Sequence, residues 1–246
     1  MTERSRAASG AAALATAPAL TRFTTDIFVR AGMSAAHAAT VADVLVWANL
    51  RGVDSHGVMR IPMYLELIER GLLDPTAIPT RGTETAAVVV IEAGRAAGPL
   101  AMTEAMRAAV GKAREAGVGL ALVRGTTHTA ALGYYTQMAA GDGLAAIAMA
   151  ASGPFMAYHG ARTAGVSTNP ISIAVPGDDG PLVLDMATGV VGMGKLAQAR
   201  QSGQAIPEGW ALDGDGNPTT DSQAARVPLP VGGPKGSGLS LMIEWE

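Results

Sequence analysis

Between residues 86 and 151 the chain alternates apolar runs with Ala-rich stretches, and this alternation limits the folds open to it. Ala86–Glu92 is rich in β-branched residues, Gly98–Ala116 reads as an Ala-rich helix, and Val118–Val123 is a second apolar run. A further helix is predicted over Ala130–Ala140, and an apolar run follows at Leu144–Ala151. Runs that are apolar throughout, separated by helices, predict an α/β layer with largely buried strands.

The residues before this layer read differently. Leu20, Phe23, Ile27 and Phe28 fall at helical spacing, Gly32 would end that helix, and Ser34 is placed to cap a second one. That second helix is expected to run to about Leu50 with Val41, Val44, Leu45 and Ala48 on one face. A third is expected after Asp54-Ser55, ending at Gly71, with Ile61, Leu65 and Ile68 inward. Beyond Ser167 come short strands at Ile171–Val175 and Leu182–Leu184, a short helix near Lys195, and a loop dense in Gly, Pro and Asp. The expected organisation is a disordered extension over 1–19, a helical subdomain over 20–75, and an α/β domain over 76–246.

Charge and composition exclude several functions. Eighteen basic and 21 acidic residues leave a net charge of −3, too balanced for a nucleic-acid footprint. Zero Cys excludes disulfide scaffolds, thiolate zinc sites and iron–sulfur clusters, and permits a cytoplasmic home. Gly143–Ala161 lacks Asp, Glu, Lys and Arg, but Gly153-Pro154 breaks it, so a buried strand and turn are expected there rather than a membrane span. The Ala-rich start is too weakly apolar for a secretory signal. The chain therefore reads as a soluble globular protein.

Five segments carry candidate chemistry. In Arg51-Gly-Val-Asp-Ser-His-Gly-Val-Met-Arg60, a helix starting near Ser55 would put His56 and Arg60 on one face, pairing a proton-exchanging group with a fixed cation for a carboxylate. The same pattern suits a solvated helix cap. His128 follows an apolar strand, where an active-site residue or an ordinary satisfied His could stand. Ser167-Thr-Asn-Pro170 reads as a tight turn with the Asn169 amide free for backbone or ligand. Asp185 ends an apolar strand and needs a cationic or donor partner, which a charged His56 could supply. Gly232-Gly-Pro-Lys-Gly-Ser-Gly238 is either an anion cradle or a flexible turn.

Other patterns fail. Gly192-Met-Gly-Lys-Leu-Ala197 fits GxGxx[GA] but runs into Ile206-Pro-Glu-Gly-Trp210 instead of a full helix and strand. The stretch from Asp213 has Pro218 and Ala224 where a calcium loop requires Gly and Glu. There is no GxSxG and no HExxH, and the four His are far apart, so no metal site is expected. A Ser-His-Asp hydrolase built on Ser55, His56 and Asp185 lacks an oxyanion elbow.

Taken together, RGVDSHGVMRIPMYLELIERG (51–71), THTAALGYYTQMAA (127–140), STNPISIAVP (167–176), PLVLDMATGVV (181–191), IPEGWALDGDGNPTTD (206–221) and GGPKGSGLSLM (232–242) resemble the malate/L-lactate dehydrogenase-type oxidoreductases. This family includes ureidoglycolate, sulfolactate and Δ1-piperideine-2-carboxylate-type enzymes, and the likeness extends from about Leu20 to the end. It implies an α/β fold with a non-Rossmann NAD(P)-binding mixed sheet beside an N-terminal helical subdomain, a homodimer, and a small carboxylate substrate. By this resemblance Ser55, His56, Arg60 and Asp185 form the catalytic group, with Asp185 holding or charge-balancing His56. Arg60 would grip the substrate carboxylate, and His128 would stand at both substrate and nicotinamide. Thr168, Asn169, Pro170, Met186, Ala187, Lys235 and Gly236 would bind NAD or NADP.

Three departures from the family pattern stand out. Thr126-Thr127 replace the usual Ser-Asn, and Pro234 replaces an aromatic or His. The sequence ends at Leu-Met-Ile-Glu-Trp-Glu246, within an expected helix where family members continue. The resemblance then implies that the C-terminal part of the fold is missing, with an inactive truncated fragment, a binding or assembly partner at most, as the rival reading.

Overall fold

The computed structural model describes residues 14–244. Most of the expected extension lies outside the described residues, but its last three residues are helical. Helix α1 spans Ala17–Arg30, starts with Pro18 in its first turn, and is capped by Thr16, whose hydroxyl accepts the Ala19 N–H at 3.4 Å. It buries Thr24 and Phe28, while Phe23 faces outward despite its helical spacing. Helix α2 (Ala35–Leu50) begins where expected, with Ser34 accepting the His37 N–H at 3.2 Å, and it buries Val41, Val44, Leu45 and Ala48.

The next segment departs from the sequence reading. No helix begins at Ser55. Two single 3₁₀ turns, Asp54–His56 and Val58–Arg60, are separated by an extended Gly57, and helix α3 starts only at Ile61 and runs to Glu69. The cause is Asn49 near the end of α2. Its Oδ1 accepts the Val58 N–H at 2.9 Å and its amide donates to Asp54 at 2.5 Å, tying both turns to the preceding helix. Helix α3 buries Ile61 and Tyr64, whereas Leu65 and Ile68 are half-buried.

Strands β1 (Thr80–Glu84), β2 (Val88–Glu92) and β3 (Leu120–Arg124) form one sheet in that order. β1 runs antiparallel to β2, and β2 pairs in parallel with β3 from Val88↔Leu120 to Glu92↔Arg124. The crossover is helix α4 (Gly98–Ala116), which ends on a left-handed Gly117. Helix α5 (Gly133–Gly141) leads to β4 (Ala146–Met149), and the short strands β5 (Met156–Ala157) and β6 (Ala164–Val166) pair with each other. β4, β7 (Ile171–Val175) and β8 (Leu182–Met186) make a second, antiparallel sheet in the order β4-β7-β8. Helix α6 (Met193–Ser202), a three-stranded sheet of β9 (Ala211–Leu212), β10 (Pro218–Thr219) and β11 (Val227–Pro228), and helix α7 (Pro234–Glu244) complete the described chain.

One apolar core joins the opening helices to the layer behind them. Phe28, Val41, Leu45, Tyr64, Leu73, Leu132, Tyr135 and Ala148 pack in it together. Among the described residues, no helix is long and apolar enough to cross a membrane. Gly143–Ala161 contains β4 and β5, so a strand stands where one was expected, but it is not buried: β4 exposes Ile147 and Met149, and β1, β3 and β8 are largely exposed too, against the expectation of buried strands.

Candidate active site

The two 3₁₀ turns bring Ser55, His56 and Arg60 together by a route other than one helix face. Ser55 Oγ lies 3.0 Å from His56 Nδ1, and the Arg60 Nε donates to the Ser55 carbonyl at 2.5 Å. Two glycines make room for this. A Cβ on Gly57 would sit 2.2 Å from the Asn49 Oδ1, and one on Gly194, in the first turn of α6, would sit 2.6 Å from the Ser55 Cβ. The Gly192–Ala197 pattern thus serves close packing of α6 on Ser55.

His128 arrives from the loop after β3. Its ring stacks on that of His56, with centroids 5.7 Å apart and planes 24° off parallel. The loop is pressed against the start of α4, where a Cβ on Gly98 would fall 2.1 Å from the His128 carbonyl oxygen. Beneath it, the buried Tyr64 hydroxyl donates to that carbonyl at 2.8 Å and lies 3.2 Å from His128 Nδ1. The sequence reading missed Tyr64. It stands four residues after Arg60 on the buried face of α3, and a buried tyrosine hydroxyl requires a polar partner.

Electrostatics keeps both imidazoles neutral. Burial lowers the His56 pKa from 6.5, and the Arg60 charge lowers it further. Burial, then His56 and Arg60, bring His128 down to about 3. Neither Nε2 has a protein hydrogen-bond partner among the described residues, and Arg60 has no carboxylate partner there. The result is a group with one fixed cation, two neutral imidazoles and two hydroxyls, a composition suited to a small anion.

Asp185 does not join His56. Its carboxylate accepts the Gly133 N–H at 2.7 Å, at the start of α5, and so ties β8 to that helix. Crowding by protein raises its pKa and the Gly133 N–H opposes the rise, while the residue as a whole keeps an exposed side. A helix N-terminus supplies the donor that the sequence reading sought in a charged His56, and a neutral His56 needs no counter-ion.

The remaining site residues form a second cluster. The Thr168 carbonyl accepts the Thr188 N–H at 2.9 Å, and the Thr188 carbonyl accepts the Val231 N–H at 2.9 Å, which stitches the 167–170 turn, the end of β8 and the Gly-Lys loop side by side. Met186 pairs with Ile171, next to Pro170. Gly236 is buried, and a Cβ there would lie 2.3 Å from the Val231 oxygen and 2.8 Å from that of Thr188. Lys235 is exposed at the head of α7. The buried Asn169 amide donates to the Ser240 carbonyl and hydroxyl at 2.8 and 3.0 Å and to Glu244 at 2.9 Å. Its Oδ1 and the Thr188 hydroxyl are buried without a partner among the described residues. Among the described residues, no three His, Cys, Asp or Glu side chains converge on a metal position.

Residues 15–245 match the malate/L-lactate dehydrogenase family. The chain belongs to this family. It is 40% identical over 217 residues to a ureidoglycolate dehydrogenase (NAD(+)) of Escherichia coli O157:H7, covering 87% of this chain and 62% of that protein. It is 38% identical over 234 residues to a malate dehydrogenase of Pyrococcus horikoshii, covering 90% and 64%. The crystal structure of Δ1-piperideine-2-carboxylate reductase from Pseudomonas syringae superposes with a TM-score of 0.88 at 35% identity, over 93% of this chain and 70% of that one. The α/β fold is thus the fold of these dehydrogenase and reductase structures. The chain spans a little under two thirds of the length of the curated relatives it matches.

Proposed function

We propose that this chain carries the active site of an NAD(P)-dependent oxidoreductase that moves a hydride between nicotinamide and a small 2-hydroxy or 2-oxo acid, or a cyclic imino acid. The observation that carries this reading is the stacking of two neutral imidazoles, His56 and His128, beside an Arg60 that has no carboxylate partner among the described residues. A carboxylate would be held by Arg60, whose Nε is taken by the Ser55 carbonyl. His56, neutral at pH 7, would take the hydroxyl proton at Nε2 while its Nδ1–H is given to Ser55 Oγ, and would return the proton in the reverse reaction. Asp185, which does not touch His56, would serve this group from outside it by anchoring α5 to β8.

The second cluster suits a nicotinamide dinucleotide in its donor and acceptor set. Among the described residues the Asn169 Oδ1 and the Thr188 hydroxyl lack hydrogen-bonding partners, and the Gly-Lys loop, whose Gly233, Lys235, Gly236 and Ser237 N–H groups are given to backbone carbonyls, offers an anion the exposed Lys235 cation. Thr168, Asn169, Pro170, Met186, Ala187, Lys235 and Gly236 would hold the dinucleotide, with His128 on the side of its reactive ring. When bound, it supplies the hydride acceptor or donor. The relatives' names include an NAD(+)-dependent enzyme, and NADP remains an allowed alternative.

The remaining parts of the reading have separate supports. A non-Rossmann cofactor fold is supported by the antiparallel β4-β7-β8 sheet and the ten-residue α6, which lacks the strand–helix–strand setting of a phosphate fingerprint. A division into helical and α/β parts at about residue 75 follows the change of element type, and the absence of Cys suits a cytoplasmic home. A homodimer is supported by exposed Ile147, Met149, Leu182 and Leu184 on one sheet.

Fluorescence titration with NADH and NADPH, followed by turnover of a panel of 2-oxo and cyclic imino acids, tests the proposal. Binding and turnover are expected, with His56→Ala lowering kcat by about 10²–10⁴-fold. Binding of neither nucleotide would overturn it.

A further inference from the structure

We propose that Thr127 is a positioning residue for His128: its hydroxyl takes the first backbone N–H of α4 and so turns that helix's N-terminus into the support on which the His128 imidazole stands. The role in turnover rests on the oxidoreductase reading, but the support of His128 by Thr127 does not.

The argument begins where the β2–β3 pairing ends. The two segments stay joined beyond the strands, with the Ala93 N–H on the Arg124 carbonyl at 2.9 Å and the Arg95 N–H on the Gly125 carbonyl at 2.7 Å. Side chains then take over. The Thr126 hydroxyl donates to the Ala96 carbonyl at 3.2 Å, and the Thr127 hydroxyl accepts the Gly98 N–H at 3.2 Å. The two threonines carry the His128 loop along the β2–α4 connection as far as the helix itself.

The opening donors of α4 can be accounted for one by one. The helix is preceded by Ala97, which offers no side-chain cap, and the Ala97 carbonyl accepts the Leu100 and Ala101 N–H groups at 2.9 and 3.3 Å. Pro99 has no N–H to give. The buried Gly98 N–H alone needs a partner from elsewhere, and Thr127 supplies it. The space in front of the helix is taken as well, since a Cβ on Gly98 would fall 2.1 Å from the His128 carbonyl oxygen and 2.7 Å from the Thr129 Cα. In strand–helix–strand nucleotide sites a phosphate sits at such a corner. Here the loop fills it.

The far side of the loop is fixed by two fully buried tyrosines. Tyr64 donates to the His128 carbonyl at 2.8 Å, and Tyr135 donates to that of Thr129 at 2.7 Å. Thr126, Tyr64 and Tyr135 all donate to carbonyls, which keep a second lone pair and tolerate a lost bond. Thr127 is the one that accepts, and without it a buried N–H is left unmet, the rarer and costlier defect. Loss of the Thr127 hydroxyl therefore obliges the loop to open to water, and the His128 ring leaves its stack on His56 with it.

The test is a pH titration of the His128 ring by NMR of the full chain, with the signal assigned by its loss in His128→Gln. Burial, then His56 and Arg60 on the two 3₁₀ turns, hold this imidazole neutral down to about pH 3, and the Tyr64 hydroxyl beside it is uncharged. Thr127→Val, which keeps the shape and removes the acceptor, is expected to raise the midpoint by about one pH unit or more as water enters, and Thr127→Ser to leave it unchanged. In the wild type the Gly98 amide should exchange slowly with solvent, and inorganic phosphate should not move its signal. With a working substrate, Thr127→Val should lower kcat/KM about 10-fold with the Kd for NADH within about 2-fold, and Thr127→Ser should restore it. An unchanged titration or unchanged turnover in Thr127→Val, a Thr127→Ser that behaves like Thr127→Val, a fast-exchanging Gly98 amide, or a phosphate shift at Gly98 would overturn the proposal. If Thr127→Val does not fold, the Thr127→Ser titration and the wild-type Gly98 amide decide. The expected titrations in a chain that binds no nucleotide would sink the oxidoreductase reading and leave Thr127 as the support of His128.

Discussion

Gly57→Ala is the most direct probe of how the His56 segment is built. The new Cβ would lie 2.2 Å from the Asn49 Oδ1, 2.6 Å from its Cγ and 2.9 Å from its Nδ2. Real Cβ atoms do not approach so closely, so the Asn49 side chain must leave. It then gives up two hydrogen bonds, to the half-buried Val58 N–H at 2.9 Å and to the exposed Asp54 carboxylate at 2.5 Å. A net hydrogen bond contributes about 0.5–1.5 kcal/mol, and the exposed ionic one is screened, so the loss should be about 1–3 kcal/mol. Urea denaturation measures it as a lower midpoint at unchanged slope. The decisive comparison is with Asn49→Ala, which removes the same bonds and also the obstruction. In that background Gly57→Ala should cost less than about 0.5 kcal/mol, because nothing remains for the Cβ to strike. Equal costs in both backgrounds would refute this account of the two 3₁₀ turns.

Three further outcomes follow from the geometry. His128 binds its proton near pH 3 in the folded chain against 6.5 ordinarily, so its contribution to stability is complete above pH 6.5 and lost as pH falls from there toward 3; His128→Asn should flatten that part of a stability–pH curve. Asp185→Ala should destabilise by about 1 kcal/mol through the orphaned Gly133 N–H, and Asp185→Asn, which keeps an acceptor, by less than about half of that in the same denaturation assay. Gly236→Ala would drive a Cβ into the backbone of Val231 and Thr188, which cannot swing aside; nucleotide affinity by fluorescence titration should drop about 10-fold or more while the far-ultraviolet circular dichroism is kept.

What the sequence made legible was the part written in local patterns. The run 88–92, the Ala-rich α4 closed by Gly117, and the Ser34 cap of α2 each sit within a few residues of their own cause. β1 was invisible because Thr-Arg-Gly-Thr-Glu is polar and fully exposed, held by pairing with β2 rather than by burial. The site residues could be named individually, yet their partners could not. Tyr64 meets His128 across 64 positions, Asp185 meets Gly133 across 52, and Asn169 meets Glu244 across 75. Periodicity carries no signal at such separations. The break at Gly57 was hidden for a related reason, since its cause is an Asn side chain on another helix.

The glycines at these joints explain why a site assembled from distant segments can be so tight. Gly57 stands against Asn49, Gly194 against Ser55, Gly98 against His128, and Gly236 against Val231 and Thr188, each closer than a Cβ would allow. At Gly98 and Gly236 the obstructing atoms are backbone, so the contacts fix peptide planes rather than side-chain rotamers. Fixing the peptide planes at Gly98 in turn fixes the hydrogen-bonding groups around His128, namely its own carbonyl under Tyr64 and the Ala130 N–H on Nδ1. The Gly-x-Gly pattern at 192–194, read as a failed phosphate fingerprint, belongs to the same scheme. Its second glycine lets α6 rest on Ser55, the hydroxyl facing His56, and His56 is thereby held by a backbone that has no room to drift.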